Sequence, residues 1–405
     1  INATGDATRT GSVGDTNQKI GVSGVIFDRD ANYPAVATTS IKIDGEAKVS
    51  GAKAAVELIN ENNVADAKSA FKLKGGTYSS DVTALLDENS VAEKQGENYV
   101  VTTYYAQVGE KKYATLQEAV NSVAQGKKGY IYILADASFD NLSIEGKQII
   151  INLQNHTVTG NKIDVYGTEG TDTYLKILDS KANGLSVDKN NNYSVSYTAS
   201  GTLQLTRSIT AYDGACIKVE SGTVVSTTSF ALLAYGDKTG QRDVASSIEV
   251  TGGYVKAQEG CVSPRGRGAS VTVGPTKSSE RKSMPVLESL DNAAIMGNGT
   301  YKANEKLGGT SITISGNCWL IGRIQTSGYA IYHPQQGSLS IKYYYGTPNI
   351  VAVNGAGIVM RGGTLDYRAG NITATGDASF VGKVGDADAQ IGNCGIVYDY
   401  DCGYY

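Results

Sequence analysis

Few residues in this chain have the types and spacing that chemistry requires, and they fall in short clusters. Asp399 and Asp401 alternate with Tyr398 and Tyr400, so an extended backbone would put both carboxylates on one strand face, where they suit a Ca2+ ion or a paired-acid site. The same spacing recurs at Asp28 and Asp30, and the recurrence reads them first as strand-end or turn residues, with Ca2+ as the lesser alternative. Arg265 and Arg267 in SPRGRGAS share a face at period two, a spacing that grips a carboxylate or sulfate on a glycan; a solvated loop is the plainer reading. In YYY at 343–345, the same alternation puts Tyr343 and Tyr345 on one face and Tyr344 on the other. An exposed tyrosine ring stacks on sugar rings, but tyrosine also lines sheets for packing alone. His156 and His333 are the only histidines, too few for a metal site unless they meet.

The five cysteines, Cys216, Cys261, Cys318, Cys394 and Cys402, show no metal-ligand spacing and read as small buried residues. Cys394 and Cys402 carry a second possibility, a disulfide, because Ser23 and Ala31 replace both together in an internal repeat. That repeat joins residues 3–33 to 374–404, with 15 of 31 positions identical.

Composition limits the partners. A net charge of -4 with no basic stripe excludes a phosphate-neutralising surface, so no nucleic acid is expected. Apolar runs such as 130–135 are strand-length, so no membrane insertion is expected in this segment. No cofactor is implied beyond the Ca2+ option. The chain opens on Ile1 without a basic-then-apolar leader, from which a processed or excised form is expected. Sequons at Asn2, Asn141, Asn155, Asn192, Asn298 and Asn371 are what an Asn- and Thr-rich chain produces by chance.

The elements that must position these residues are short strands. Gly at 49 with Pro at only 6 suits many tight turns, and 26 Tyr against 5 Phe and 1 Trp suits broad, partly wet sheet faces. From about residue 200 one phrase recurs at irregular intervals: Gly or Ala, an apolar pair, a Gly turn, then a second short strand. GACIKVESGTVVS (214–226) and GAGIVMRGGTLDY (355–367) are two instances. Strands of constant pattern joined by loops of unequal length are what a parallel β-helix needs, since each coil must return to the same cross-section. A β-sandwich ranks second, for want of matched hairpins. YATLQEAVNSVAQG (113–126) is different in kind. Leu116, Ala119, Val120 and Val123 share a helical face, Thr115 and Glu118 form a capping box, and Gly126 is the expected stop. A helix of this length, near 115–124, would cover the exposed edge of a first coil.

The strings VGEKKYATLQEAVNSVAQGKKGYIYILADASFDNLSIEGKQIIINLQNHTVTG (108–160) and FKLKGGTYSSDVTALLDENSVAEKQGENYVV (71–101) resemble the opening and terminating modules of one family. These are the pectate-lyase-like right-handed parallel β-helix repeats of large Gram-positive cell-surface proteins of the adhesin type. The resemblance implies an all-β solenoid in two pieces. Residues 1–103 would be the last coils and terminator (near 71–101) of one β-helix, and 104–405 the capping helix and most of a second. It further implies an extracellular or cell-surface, structural or adhesive protein forming a repetitive fibre or rod. Its partners would be copies of itself, adjacent modules of the same polypeptide, and host or cell-wall glycans. The alternatives are a polysaccharide lyase or glycoside hydrolase on the same scaffold, and a trimeric phage-type tail fibre.

Overall fold

The computed structural model describes residues 1–6, 11–13, 16–18, 22–28, 40–59, 68, 70–236, 244–297, 309–323, 329–333, 337–375, 381–384, 387–390 and 394–398. The chain divides into two compact units, Ile1–Tyr105 and Ala106–Tyr405. Short β-branched and aliphatic strands stack in parallel, coil upon coil, and the fold is the expected parallel β-helix.

In the larger unit each coil contributes one strand to each of three sheets. Among the described residues the first sheet runs from the hairpin Ala106–Val108/Lys111–Tyr113 through Lys128–Ile133 to Thr364–Tyr367, eleven strands in all. The second runs from Ala137–Ser138 to Asn371–Ala374 and the third from Asn141–Glu145 to Ile396–Tyr398, each with nine strands among the described residues. Register keeps like over like. In the first sheet Ile149, Leu175, Ile217, Ile248, Val271 and Ile312 follow one another up an inward column. In the third, Ile209, Leu232, Val262, Ile295, Ile331 and Ile358 do the same, with Ile396 next. Each ladder residue wholly removed from water contributes about 1.5–3 kcal/mol.

The helix Leu116–Ser122 has the expected capping box, Thr115 Oγ1 accepting from Glu118 N and Glu118 from Thr115 N. Leu116, Ala119, Val120 and Val123 enter the core, so the helix plugs the end of the solenoid. Two details differ from expectation. The helix stops before Gly126, because Val123 is extended as C-cap, and Gly126 (φ 68°) turns the chain toward Lys128 instead. The first strand edge is covered by the hairpin, Ala106–Val108 pairing antiparallel with Ile131–Ile133, since only a strand supplies ladder hydrogen bonds.

In the smaller unit Lys48–Gly51 lies between Asn2–Ala3 and Thr77–Tyr78, all parallel. Ser23–Asp28 pairs in parallel with Ala54–Ile59, and Ile41–Ile43 with Phe71–Leu73. A 3-10 turn, Thr83–Leu85, and the hairpin Ser90–Gln95/Asn98–Thr103 follow. The second hairpin strand pairs antiparallel with Thr77–Tyr78, and the parallel stacking ends there.

A second hairpin, Asn183–Asp188/Ser194–Ala199, lies on the outer face of the second sheet. Leu185, Val187, Tyr193 and Val195 pack on Val286, Trp319, Ile321 and Val351. Arg323 fixes its tip, donating to Asn192 O (2.9 Å) and Tyr193 O (2.7 Å) and pairing with buried Glu288, while Lys189 sits 5.2 Å above the Trp319 ring.

Candidate functional site

The outer face of the first sheet and the two corners that bound it hold the residues able to meet a ligand. Outward positions on its strands alternate with the aliphatic ladders, and from the middle coils onward they carry hydroxyls. Ser247, Ser270, Ser311, Ser338 and Thr364 form one column, and Thr272, Thr313 and Ser340 the column beside it. Neighbouring hydroxyls therefore recur at about the 4.8 Å strand spacing. Acidic residues end the second column. Glu249 pairs with Lys218 (3.0 Å) and Asp366 with Arg368 (2.9 Å).

At the corner leading to the second sheet, a polar recess of about 340 Å³ is lined by Leu178, Glu220, Ser221, Thr251, Lys277, Glu280 and Ser283. Each carboxylate has its own ammonium group: Glu220 pairs with Lys176, and Glu280 with Lys277 at 3.2 Å. Partial burial works against the Glu280 carboxylate, but the Thr276 amide and hydroxyl and Lys277 together hold its pKa below the ordinary glutamate value. Glu280 is therefore a poor proton donor and serves as a fixed acceptor.

Tyr343–Tyr345 sit at this corner further along the solenoid. The strand Gly337–Lys342 ends before them and Tyr345 adopts φ 54°, so strand alternation does not apply and the three rings occupy a turn. Tyr343 is 67 % exposed and Tyr345 46 %, the latter set edge-on to Tyr344 with ring centres 4.5 Å apart. Their exposed faces suit stacking on a flat apolar ligand face.

The opposite corner is built differently. Tyr166, Tyr212 and Tyr235 stack at 5.0 and 5.1 Å with planes 11° and 7° apart, and Arg265 follows Tyr235 in register. These rings spend their faces on one another, so the stack holds coils together and offers only edges outward. Burial, followed by the nearby Asp164, Tyr235 and Tyr166, raises the Tyr212 pKa. Arg265 lies 4.9 Å over Phe230 and bonds Ser263 (3.3 Å). Gly266 (φ 90°) ends the extended run, so Arg265 and Arg267 do not share a face by strand alternation, and Arg267 belongs to the following turn.

Of the other expected residues, Asp28 ends the strand Ser23–Asp28 in register with Ile59. Asp30, Asp399, Asp401 and Cys402 lie outside the described residues, and with them the Ca2+ option and the Cys394–Cys402 pair. Among the described residues no group of three or more His, Cys, Asp or Glu is placed to hold a metal ion. His156 lies 3.7 Å from Asp136, whereas His333 is buried at the end of Tyr329–His333. The hydroxyl columns escaped the sequence reading. Their signal is a pair of hydroxyl residues two apart, alternating with aliphatic ones, in successive strands, as in the strings SVTV, SITI and SLSI.

Comparison with protein-family models, with curated proteins and with solved structures finds no match to this chain.

Proposed function

We propose that this is an extracellular, cell-surface structural or adhesive protein. It forms a rod by stacking of β-helix modules and contacts glycans, cells or neighbouring rods through its flanks. One observation carries the reading: the repeated sequence makes the same elements in both units. Asn2–Ala3, the hairpin Gly11–Val13/Thr16–Gln18 and Ser23–Asp28 correspond to Asn371–Ala374, Val381–Val384/Ala387–Gln390 and Ile396–Tyr398. A coil reused in two solenoids is the property of a modular array, in which each unit grows by nearest-neighbour contacts.

Negative-stain microscopy of the native polypeptide tests this, with extended rods expected and compact, dispersed particles counting against it. The flank contact is tested on immobilised glycans. Tyr343→Ala and Tyr345→Ala are expected to weaken binding about two- to tenfold each, the equivalent of roughly 0.5–1.5 kcal/mol of ring contact, with melting unchanged. Equal binding by both variants would remove this corner from the reading. A glycan-cleaving enzyme is the second reading, favoured by the two glutamates in one recess. Release of reducing ends or unsaturated products from pectins, mucins or alginates would establish it.

A further inference from the structure

We propose that the corner joining the first and second sheets binds an acidic polysaccharide, one whose uronate sugars are spaced by neutral ones, laid along the solenoid. This rests on the glycan contact of the rod reading, and names the class of glycan and the residues that select it.

The first argument is placement. Ile177, Val219, Val250, Val273, Ile314 and Ile341 lie in one column of the first sheet. The column is about 24 Å long at the strand spacing, and the corner begins one residue after each of its members. Leu178, Glu220, Ser221 and Thr251, on the first three coils of the column, line the polar recess. The loop 274–285 leaves from the Val273 coil. It starts beside the tyrosine turn, since a methyl group on Gly316 would run into Pro275 and lie 3.1 Å from Tyr344 O. It then folds back, and Lys277, Glu280 and Ser283 line the recess. Recess, loop and the exposed rings of Tyr343 and Tyr345 therefore adjoin along one corner.

The second argument is charge. Glu280 is the loop's only carboxylate, and the loop itself uses it. Oε2 accepts from Thr276 N (2.8 Å) and Thr276 Oγ1 (3.0 Å), and Oε1 pairs with Lys277 (3.2 Å). The 3-10 turn Ser278–Glu280 and the bond from Ser283 N to Glu280 O (2.8 Å) complete the brace. Arg281 and Lys282 come next and are exposed, as is Lys342 where the strand Gly337–Lys342 ends. Among the described residues none of these three has a carboxylate within ion-pair distance, whereas Lys176 and Lys218, in the middle coils of the same sheet face, each have a glutamate. Unpaired cations alone mark no site; these stand beside open aromatic rings and a hydroxyl-lined recess. Each part matches one part of such a polymer. Apolar ring faces stack on Tyr343 and Tyr345, sugar hydroxyls meet Ser221, Thr251, Ser283 and the fixed acceptor Glu280, and a uronate carboxylate meets the fork of Arg281 with Lys282 beside it. Glu220 and Glu280 stand among these groups and repel a polymer with an anion on every unit, which disfavours a nucleic acid.

The test measures binding of the full chain to immobilised hyaluronan and gellan, whose uronates are spaced by neutral sugars, and to the same polymers after reduction of their carboxyl groups to alcohols. Native polymer is expected to bind about tenfold more tightly than reduced polymer, and the difference should shrink as salt rises. Arg281→Gln combined with Lys282→Gln should remove most of that difference with melting unchanged, while Lys128→Gln, in the first coil of the sheet, should leave it whole. Tyr343→Ala should weaken native and reduced polymer by the same factor. Native polymer binding no more tightly than reduced polymer, or a preference undiminished in the double variant, overturns the proposal and leaves a neutral-glycan contact standing. If the double variant melts early, the comparison of native with reduced polymer decides alone. Single-stranded DNA bound more tightly than either polymer at the same salt overturns the proposal in favour of a nucleic acid. No binding to any polymer, neutral dextran included, removes the glycan contact as well and leaves the rod to be decided by microscopy.

Discussion

Single residues in this fold act chiefly through burial. Tyr78 is wholly enclosed in the smaller unit, its hydroxyl donating to Gly75 O at 2.9 Å, and burial with Asp44 nearby raises its pKa to about 12. The folded value lies above the unfolded one, so the unfolded chain loses this proton first as pH rises. Stability is therefore whole below about pH 10 and falls through pH 10–12, by on the order of 2–3 kcal/mol for this group. Urea titration at pH 8 and pH 11 should show the loss, and Tyr78→Phe should reduce the difference between the two. Cys216 behaves alike, since burial raises its thiol to about 11 although it stands in an outward column beside Lys218. Residue types alone marked Tyr343 and Tyr345 as ring platforms, but not the turn that exposes both. That depends on where the strand stops and on the positive φ of Tyr345, which no local pattern in YYY announces.

Among the elements, the capping helix was legible because its signal is local, and the terminator of the smaller unit because its string resembles a known terminating module. Thr115 and Glu118 are three residues apart, and the GGTY strand, 3-10 turn and hairpin follow in unbroken order. The hairpin Asn183–Ala199 was not legible. Its strands are ordinary, and the surface it needs is made by Val286, Trp319 and Val351, which belong to coils far along the sequence. Glu288 is buried under it with Arg323, Tyr254 and Lys256 as partners. Arg323→Ala leaves that carboxylate short of its guanidinium and frees the hairpin tip. The expected cost is about 3–5 kcal/mol, with faster amide exchange confined to the hairpin. A loss below about 1 kcal/mol would mean that Lys256 and Tyr254 suffice to hold Glu288.

At the scale of the whole molecule, the recurring phrase of Gly, apolar pair and Gly turn made the solenoid readable. A period-two pattern shows which side chains face inward, and unequal loops cost little in a stack. The lateral neighbours of each strand were not readable, because register between coils is fixed by ladders such as Ile217 on Leu175 rather than within a strand. Stacking also predicts a gradient of stability. Ile217→Ala removes a side chain held between two coils and is expected to cost about 2–5 kcal/mol. Leu365→Ala, in the last described strand of its sheet and only partly buried, should cost less. Equal losses in urea would show that the unit unfolds without regard to position. One feature bears on how the chain acquires this order. A solenoid built only from adjacent coils folds through short sequence separations, yet Arg323 reaches back 131 residues to Asn192. The surface the hairpin docks on begins at Val286 but is complete only when the Trp319 and Val351 coils and Arg323 are in place, so its full seating closes a long loop and records that the coils between have already formed.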